Sequence, residues 1–156
     1  MIKNNVTRML ESRGIPYQSY ELPTEKIGAI EAAQILGIDP EIVFKTIVVE
    51  RRGGAKPILA LVPGPREVDL KALARAMNEK KVHLATQKSA EKLTGLQVGG
   101  ISPLALMNRG FEVVVDQEAE VHEEIYLSGG QRGLNLRLTT KALVDLTQAR
   151  IAAISY

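Results

Sequence analysis

The residue best equipped for chemistry in this 156-residue chain stands where a strand should bury its side chains. In "EIVFKTIVVE", residues 41 to 50, Lys45 interrupts a run of apolar and β-branched residues. On the two-residue period of a strand, Val43, Lys45, Ile47 and Val49 share one face, and Phe44, Thr46 and Val48 the other. Neither face is the polar one. A fully buried, unpaired ammonium is costly and tends to shed its proton. A long stem can instead snorkel, leaving its charge at a sheet edge or cavity mouth. Two readings of Lys45 therefore stay open: a snorkelling surface residue, or a cation pointing into a pocket. In the second role its three donors suit a phosphate or a carbonyl oxygen.

Two glycine pairs come next, Gly99-Gly100 in "VGGISPL" and Gly129-Gly130 in "SGGQRG". Glycine lets backbone N–H groups approach a ligand or adopt positive φ. Successive N–H groups can form an anion-binding nest or an oxyanion hole. A Gly-Gly pair between strands is more often just a turn. Two such loops with Ser102-Pro103 and Ser128 attached are more suggestive together than apart. Tyr20, at the end of the first predicted strand, can stand beside a pocket or simply fill the core or its rim. With four tyrosines, two phenylalanines and no tryptophan, a broad stacking platform for single-stranded nucleic acid is not expected.

Other chemistries are short of parts. The chain has no cysteine, which removes disulfides, a thiolate nucleophile and every cysteine metal site. His83 and His122 are the only histidines, too few for a multi-histidine cage, so no metal and no cofactor is expected. A Ser-His-Asp arrangement lacks support. There is no strand-linked G-x-G-x-x-G or Walker sequence. The net charge of +2 tolerates a polyanionic partner without calling for one. No apolar run reaches the ~18 residues of a membrane helix, and the N-terminus lacks a secretory signal. A cytoplasmic location with no membrane partner is the expectation.

The elements that must position these residues follow from caps and periods. A helix is predicted over 4–13, ended by Gly14 and Pro16, then a strand at 17–21. Thr24 is read as capping a second helix that stops at Gly37. Asp39 and Pro40 start a short helical turn leading into a strand at 43–50. "ERRGGAKP" signals a hairpin to a strand at 57–63. Asp69 caps "LKALARAM", a short strand covers 82–85, and Thr86 caps a helix to about Leu93. Strands are predicted at 111–116, 125–128 and 134–138, with the acidic run 116–124 a solvated loop. Thr139 or Thr140 caps "KALVDLTQ", and "RIAAIS" closes as a strand. The pattern predicts a single α+β domain around one mixed, barrel-like sheet flanked by helices.

In order and spacing, "FKTIVV", "VDLKALARAM", "KKVHLAT", "TGLQVGGISPL", "SGGQRGL" and "LVDLTQARIAAIS" resemble the YbaK family of single-domain aminoacyl-tRNA deacylases. That family is related to the editing insertion of bacterial prolyl-tRNA synthetases, and the resemblance runs from Tyr20 to the closing strand. It implies a mixed α+β fold and cleavage of the ester joining a wrong amino acid to tRNA. The likeness is greatest to the free-standing Cys-tRNA(Pro) deacylase branch. There the substrate cysteine's own thiol attacks its carbonyl and expels the tRNA through a cyclic thiolactone.

Carried over residue by residue, the resemblance puts the family's pocket lysine on Lys45 with Thr46 beside it, and its strand-one tyrosine on Tyr20. Its glycine loop falls on Gly99, Gly100, Ile101, Ser102 and Pro103, and its second loop on Ser128, Gly129 and Gly130. Lys45 is expected to orient the terminal adenosine or its phosphate, and the Gly99 and Gly100 N–H groups to hold the ester carbonyl. Asn135 stands where family members often carry an aspartate, and Ala105 and Met107 depart from the branch pattern after "ISPL". The implied partners are the acceptor end of an aminoacyl-tRNA and prolyl-tRNA synthetase, not DNA. Alternatives are another misattached amino acid such as alanine, or a non-catalytic tRNA- or synthetase-binding module.

Overall fold

Helix ends fall where the sequence places polar caps. The computed structural model describes residues 1–156. Helix α1 (Asn5–Ser12) opens on Asn4, whose side chain accepts from the Thr7 N–H in a reciprocal capping box. Gly14 then takes a φ of +67°, the left-handed turn that ends a helix at no steric cost. Strand β1 (Gln18–Glu21) and helix α2 (Ala29–Leu36) follow. Thr24 is not the cap of α2: the helix begins after Gly28, without a side-chain cap, and residues 22–28 form a loop. Gly37 closes α2 at φ 70°.

Asp39 caps the 3-10 turn Pro40–Ile42, which feeds strand β2 (Phe44–Glu50). The Gly53-Gly54 connection returns the chain as β3 (Ile58–Pro63). Helix α3 (Leu70–Ala76) is capped by Asp69, β4 (His83–Leu84) is two residues, and α4 (Gln87–Thr94) is capped by Thr86. After the glycine loop and the 3-10 turn Pro103–Leu106 come β5 (Glu112–Asp116), β6 (Glu124–Ser128) and β7 (Leu134–Thr139). Helix α5 (Thr140–Thr147), capped by Thr139, and β8 (Arg150–Ala152) end the chain.

The strands form two sheets, not the one barrel-like sheet expected. One has the order β1-β7-β6, the other β4-β2-β3-β5-β8. The small sheet is antiparallel throughout. In the larger one β2 pairs antiparallel with β3 and β4, while β5 lies parallel to both β3 and β8. Only an isolated bridge, Val43 to Tyr126, links the two. The sequence pattern marks which segments are strands but not where a ladder stops, so it could not separate two sheets from one.

Alternation in the strands decides which core each residue joins. Phe44, Val48, Leu59 and Leu61 of the large sheet share the main core with Leu127, Leu134 and Leu136 of the small one. The opposite face of the large sheet, through Val49, Ile58, Ala60 and Val62, packs with Leu73, Ala74 and Met77 around α3. Strand β3 is covered on both sides, which is why "ILALVP" is an unbroken apolar run. The acidic run is only partly solvated. Asp116 is 1% exposed; its carboxylate accepts from the Glu118 and Ile154 N–H groups, fastening the C-terminal segment to β5.

Candidate functional site

Residues 43–48, on and just before β2, form one wall of a cavity of about 400 Å³, a size suited to a small organic group. The facing walls come from the 22–28 loop, the start of α2, α4, the glycine loop and the ends of β6 and β7. The apolar part of the lining is aliphatic apart from one aromatic, Phe44, and includes Ile27, Val98, Ile101 and Leu134. Against that apolar surface a few polar groups stand out.

Of the residues singled out in the sequence, Lys45, Thr46, Gly99, Ile101, Ser128 and Asn135 border the cavity together. Lys45 also borders an outer groove with Glu31, Gln34 and Gly64, so it stands where the cavity meets the surface. Its side chain is 24% exposed, and its Nζ lies 3.6 Å from Glu67 Oε1. Glu67 is itself well exposed, so this pair restrains the lysine weakly. Both sequence readings of Lys45 thus meet in one position: the stem is largely covered and the head sits at a rim.

Two polar atoms of the lining are buried with nothing to bond. Thr46 Oγ1 and Asn135 Oδ1 have no hydrogen-bond partner in the protein. Buried polar groups are nearly always paired, so two orphans on one cavity mark places where a ligand can supply the partner. Ser128 Oγ, by contrast, already accepts from the Gly130 N–H at 3.3 Å.

The remaining candidates build the cavity without bordering it. Gly100 donates its N–H to the Gln97 carbonyl at 2.7 Å, so of the glycine pair the Gly99 N–H is the one not engaged in a backbone bond. A Cβ on Gly100 would lie 2.7 Å from Arg132 N, and only glycine lets the two loops approach so closely. Ser102 is fully buried and caps the turn that Pro103 starts. A Cβ on Gly129 would fall 2.6 Å from the Leu134 side chain, and one on Gly130 3.1 Å from Val6.

Tyr20 is paired across the strands with Asn135 and leans on Tyr126, ring centroids 5.5 Å apart. Burial, reinforced by a hydrogen bond with Tyr126, pushes the Tyr20 hydroxyl above its ordinary pKa of 10.0. It therefore supports the strand that carries Asn135. Arg137, opposite Tyr126 in the register, has its own pKa pushed further up, chiefly by its hydrogen bond to the Tyr126 hydroxyl.

The 22–28 loop is the part of the lining that sequence reasoning missed. Thr24 drew it into a helix, although Pro23 and Gly28 at its ends were signals of a loop. Lys26 within it donates to Gln87 Oε1 at 2.6 Å, joining the loop to the start of α4 across the cavity mouth. No three His, Asp or Glu side chains converge as a metal ion would need, and no helix is long and apolar enough to cross a membrane.

The family model for the aminoacyl-tRNA editing domain matches residues 24–146. A provisionally assigned Cys-tRNA(Pro)/Cys-tRNA(Cys) deacylase, EbsC of Enterococcus faecalis, is 36% identical over 98% of this chain and 93% of its own length. The proline–tRNA ligase of Desulfotalea psychrophila is 32% identical over 79% of this chain, a region that makes up 22% of the ligase. Among solved structures, a provisionally assigned trans-editing enzyme for prolyl tRNA synthetase superposes with a TM-score of 0.82 at 28% identity, covering 100% of this chain and 99% of that one. The resemblance drawn from the motifs is borne out, and the chain belongs to the aminoacyl-tRNA editing domain family.

Proposed function

We propose that the chain is a trans-editing deacylase that cleaves the aminoacyl ester of Cys-tRNA(Pro), and of Cys-tRNA(Cys) where the tRNA body is not read. One observation carries this reading. The cavity pairs a rim lysine with two unpartnered acceptor atoms, Thr46 Oγ1 and Asn135 Oδ1, and its lining includes no histidine to activate a hydroxyl. Such a site can hold and orient a substrate that brings its own nucleophile.

In the reaction proposed, the substrate thiol gives up its proton and its sulfur attacks the ester carbonyl carbon. The carbon–oxygen bond to the ribose breaks, and the tRNA hydroxyl takes up a proton as it leaves. The cyclic thiolactone released is opened by water to cysteine. Lys45 holds the terminal adenosine or its phosphate at the rim. The Gly99 N–H stabilises the carbonyl oxygen as negative charge develops on it. Thr46 and Asn135 accept from the amino acid's ammonium group, so that the thiol side of the substrate faces the carbonyl.

The likeness to regions of proline–tRNA ligases supports prolyl-tRNA synthetase as the partner that lends tRNA specificity, since a net charge of +2 leaves few phosphate contacts to the domain itself. Assays with separately charged Cys-tRNA(Pro), Ala-tRNA(Pro) and Ser-tRNA test the reading. Rapid release of cysteine alone is expected. Release of alanine alone would overturn the cysteine assignment, and release of none would favour a binding module. Lys45→Ala is expected to abolish release while leaving the thermal transition in place; retained activity would remove Lys45 from the mechanism.

A further inference from the structure

The glycine loop that borders the cavity has little backbone support of its own. Val98 and Gly99 make no backbone–backbone hydrogen bond, and Gly100 makes one, to the carbonyl of Gln97 three residues earlier. Yet Gly99 must stand still if its N–H is to meet a carbonyl oxygen. Side chains from two other elements supply what is missing. Glu91, on α4, accepts the Val98 N–H through Oε2 at 2.8 Å. Arg132, in the loop between β6 and β7, donates Nε to the Val98 carbonyl at 2.8 Å.

The two peptide units that flank Val98 are therefore each gripped by a charged group, Gln97–Val98 by Glu91 and Val98–Gly99 by Arg132, and a charged partner makes the stronger kind of hydrogen bond. The two side chains also face one another, with Arg132 Nη2 at 4.0 Å from Glu91 Oε2. Both are largely covered, 21% and 32% exposed. Arg132 also packs over Gly99: a Cβ there would be 3.5 Å from Arg132 Cγ. The loop that carries Arg132 is held at its other end by Asn4, whose Nδ2 donates to the Gly129 carbonyl at 3.0 Å and to Gln131 Oε1 at 3.1 Å.

We infer that Glu91 and Arg132 are positioning residues that clamp the backbone on both sides of Val98 and so fix Gly99 for the deacylation step. The inference rests on the function proposed above for Gly99. Neither side chain borders the cavity, so both act through the loop. A merely structural pair would stabilise the fold as a whole. A clamp of this kind leaves the fold and substrate affinity nearly unchanged and acts on the chemical step.

Amide hydrogen exchange followed by NMR, with single-turnover deacylation of Cys-tRNA(Pro), separates these cases in wild type, Glu91→Ala, Glu91→Gln, Arg132→Ala and Arg132→Lys. Exchange is expected to speed up about tenfold at Val98 in Glu91→Ala, and comparably at the bonded Gly100 N–H in Arg132→Ala, as loss of one net hydrogen bond implies. Amides outside the loop keep their rates. The single-turnover rate falls by about tenfold or more while substrate Kd is retained. Glu91→Gln keeps an acceptor for Val98 and recovers most of both effects; Arg132→Lys, which lacks the Nε geometry, does not.

Unchanged loop exchange overturns the clamp. Equal acceleration of all amides makes the pair structural, and a loss confined to Kd, or faster loop exchange with an unaltered rate, removes its catalytic purpose. Glu91→Gln behaving as Glu91→Ala rejects the hydrogen-bond assignment. If wild type releases no amino acid from any tRNA, the proposed function fails, and the loop exchange pattern by itself decides the clamp.

Discussion

Thr46→Val should make the protein more stable and less active at once. The Thr46 hydroxyl oxygen is buried without a partner, and valine replaces it with a methyl of nearly the same shape. An unpaired buried polar group costs about 1–3 kcal/mol. Removing it stabilises the free enzyme by roughly 1 kcal/mol at the lower end of that range, and for a chain of this size each such increment raises Tm by about 2–4 °C. In the substrate complex the balance inverts, because the ammonium group that would have met the hydroxyl is left unpaired. A loss of about 1.4 kcal/mol in the transition state, within the same range, lowers kcat/KM about tenfold. Thermal melts of the free protein and deacylation of Cys-tRNA(Pro) at low substrate measure the two sides. A lower Tm together with an unaltered kcat/KM would refute the reasoning, since it would mean the hydroxyl is satisfied in the free protein and idle in the complex.

The other predictions concern the support of the same cavity. Gly100→Ala brings a Cβ to 2.7 Å from backbone atoms of Gln131 and Arg132, so overpacking should cost about 1–3 kcal/mol and be visible in denaturant melts. Asn135→Asp places a carboxylate where the residue is 7% exposed and one oxygen lacks a partner. Desolvation raises that carboxyl's pKa, so the variant's stability is fully present only below the unfolded aspartate value of about 3.9 and is lost as pH rises from there through the raised folded value; Tm measured upward from about pH 4 should fall in the variant relative to the parent. The Tyr20 hydroxyl, raised above 10.0 by burial, contributes stability that is present below that value and lost as pH rises through its folded pKa. Absorbance titration should show a late-ionising tyrosine that disappears in Tyr20→Phe.

Much of the fold can be read locally. Asn4, Asp69, Thr86 and Thr139 each cap a helix, and caps, glycine stops and strand alternation are short-range effects. Thr24 fails for the same reason: a cap signal is only as good as the helix after it, and the chain there spends residues 22–28 on lining a cavity. Asp116 fails in another way. Its neighbours in sequence are acidic and wet, while its partner, the Ile154 N–H, arrives from 38 residues away.

The sequence by itself determined the elements, the family and the unusual lysine in "EIVFKTIVVE". It could do so because periodicity, caps and motif order are properties of adjacent residues. Only the tertiary structure decided that the strands divide into two sheets and that Lys45 stands at a rim. It alone left Thr46 and Asn135 without partners, engaged the Gly100 N–H, and brought Glu91 and Arg132 to the backbone on both sides of Val98 from separate elements. Those outcomes turn on which distant groups meet and which are left unpaired, and hydrogen bonds are satisfied in space rather than along the chain.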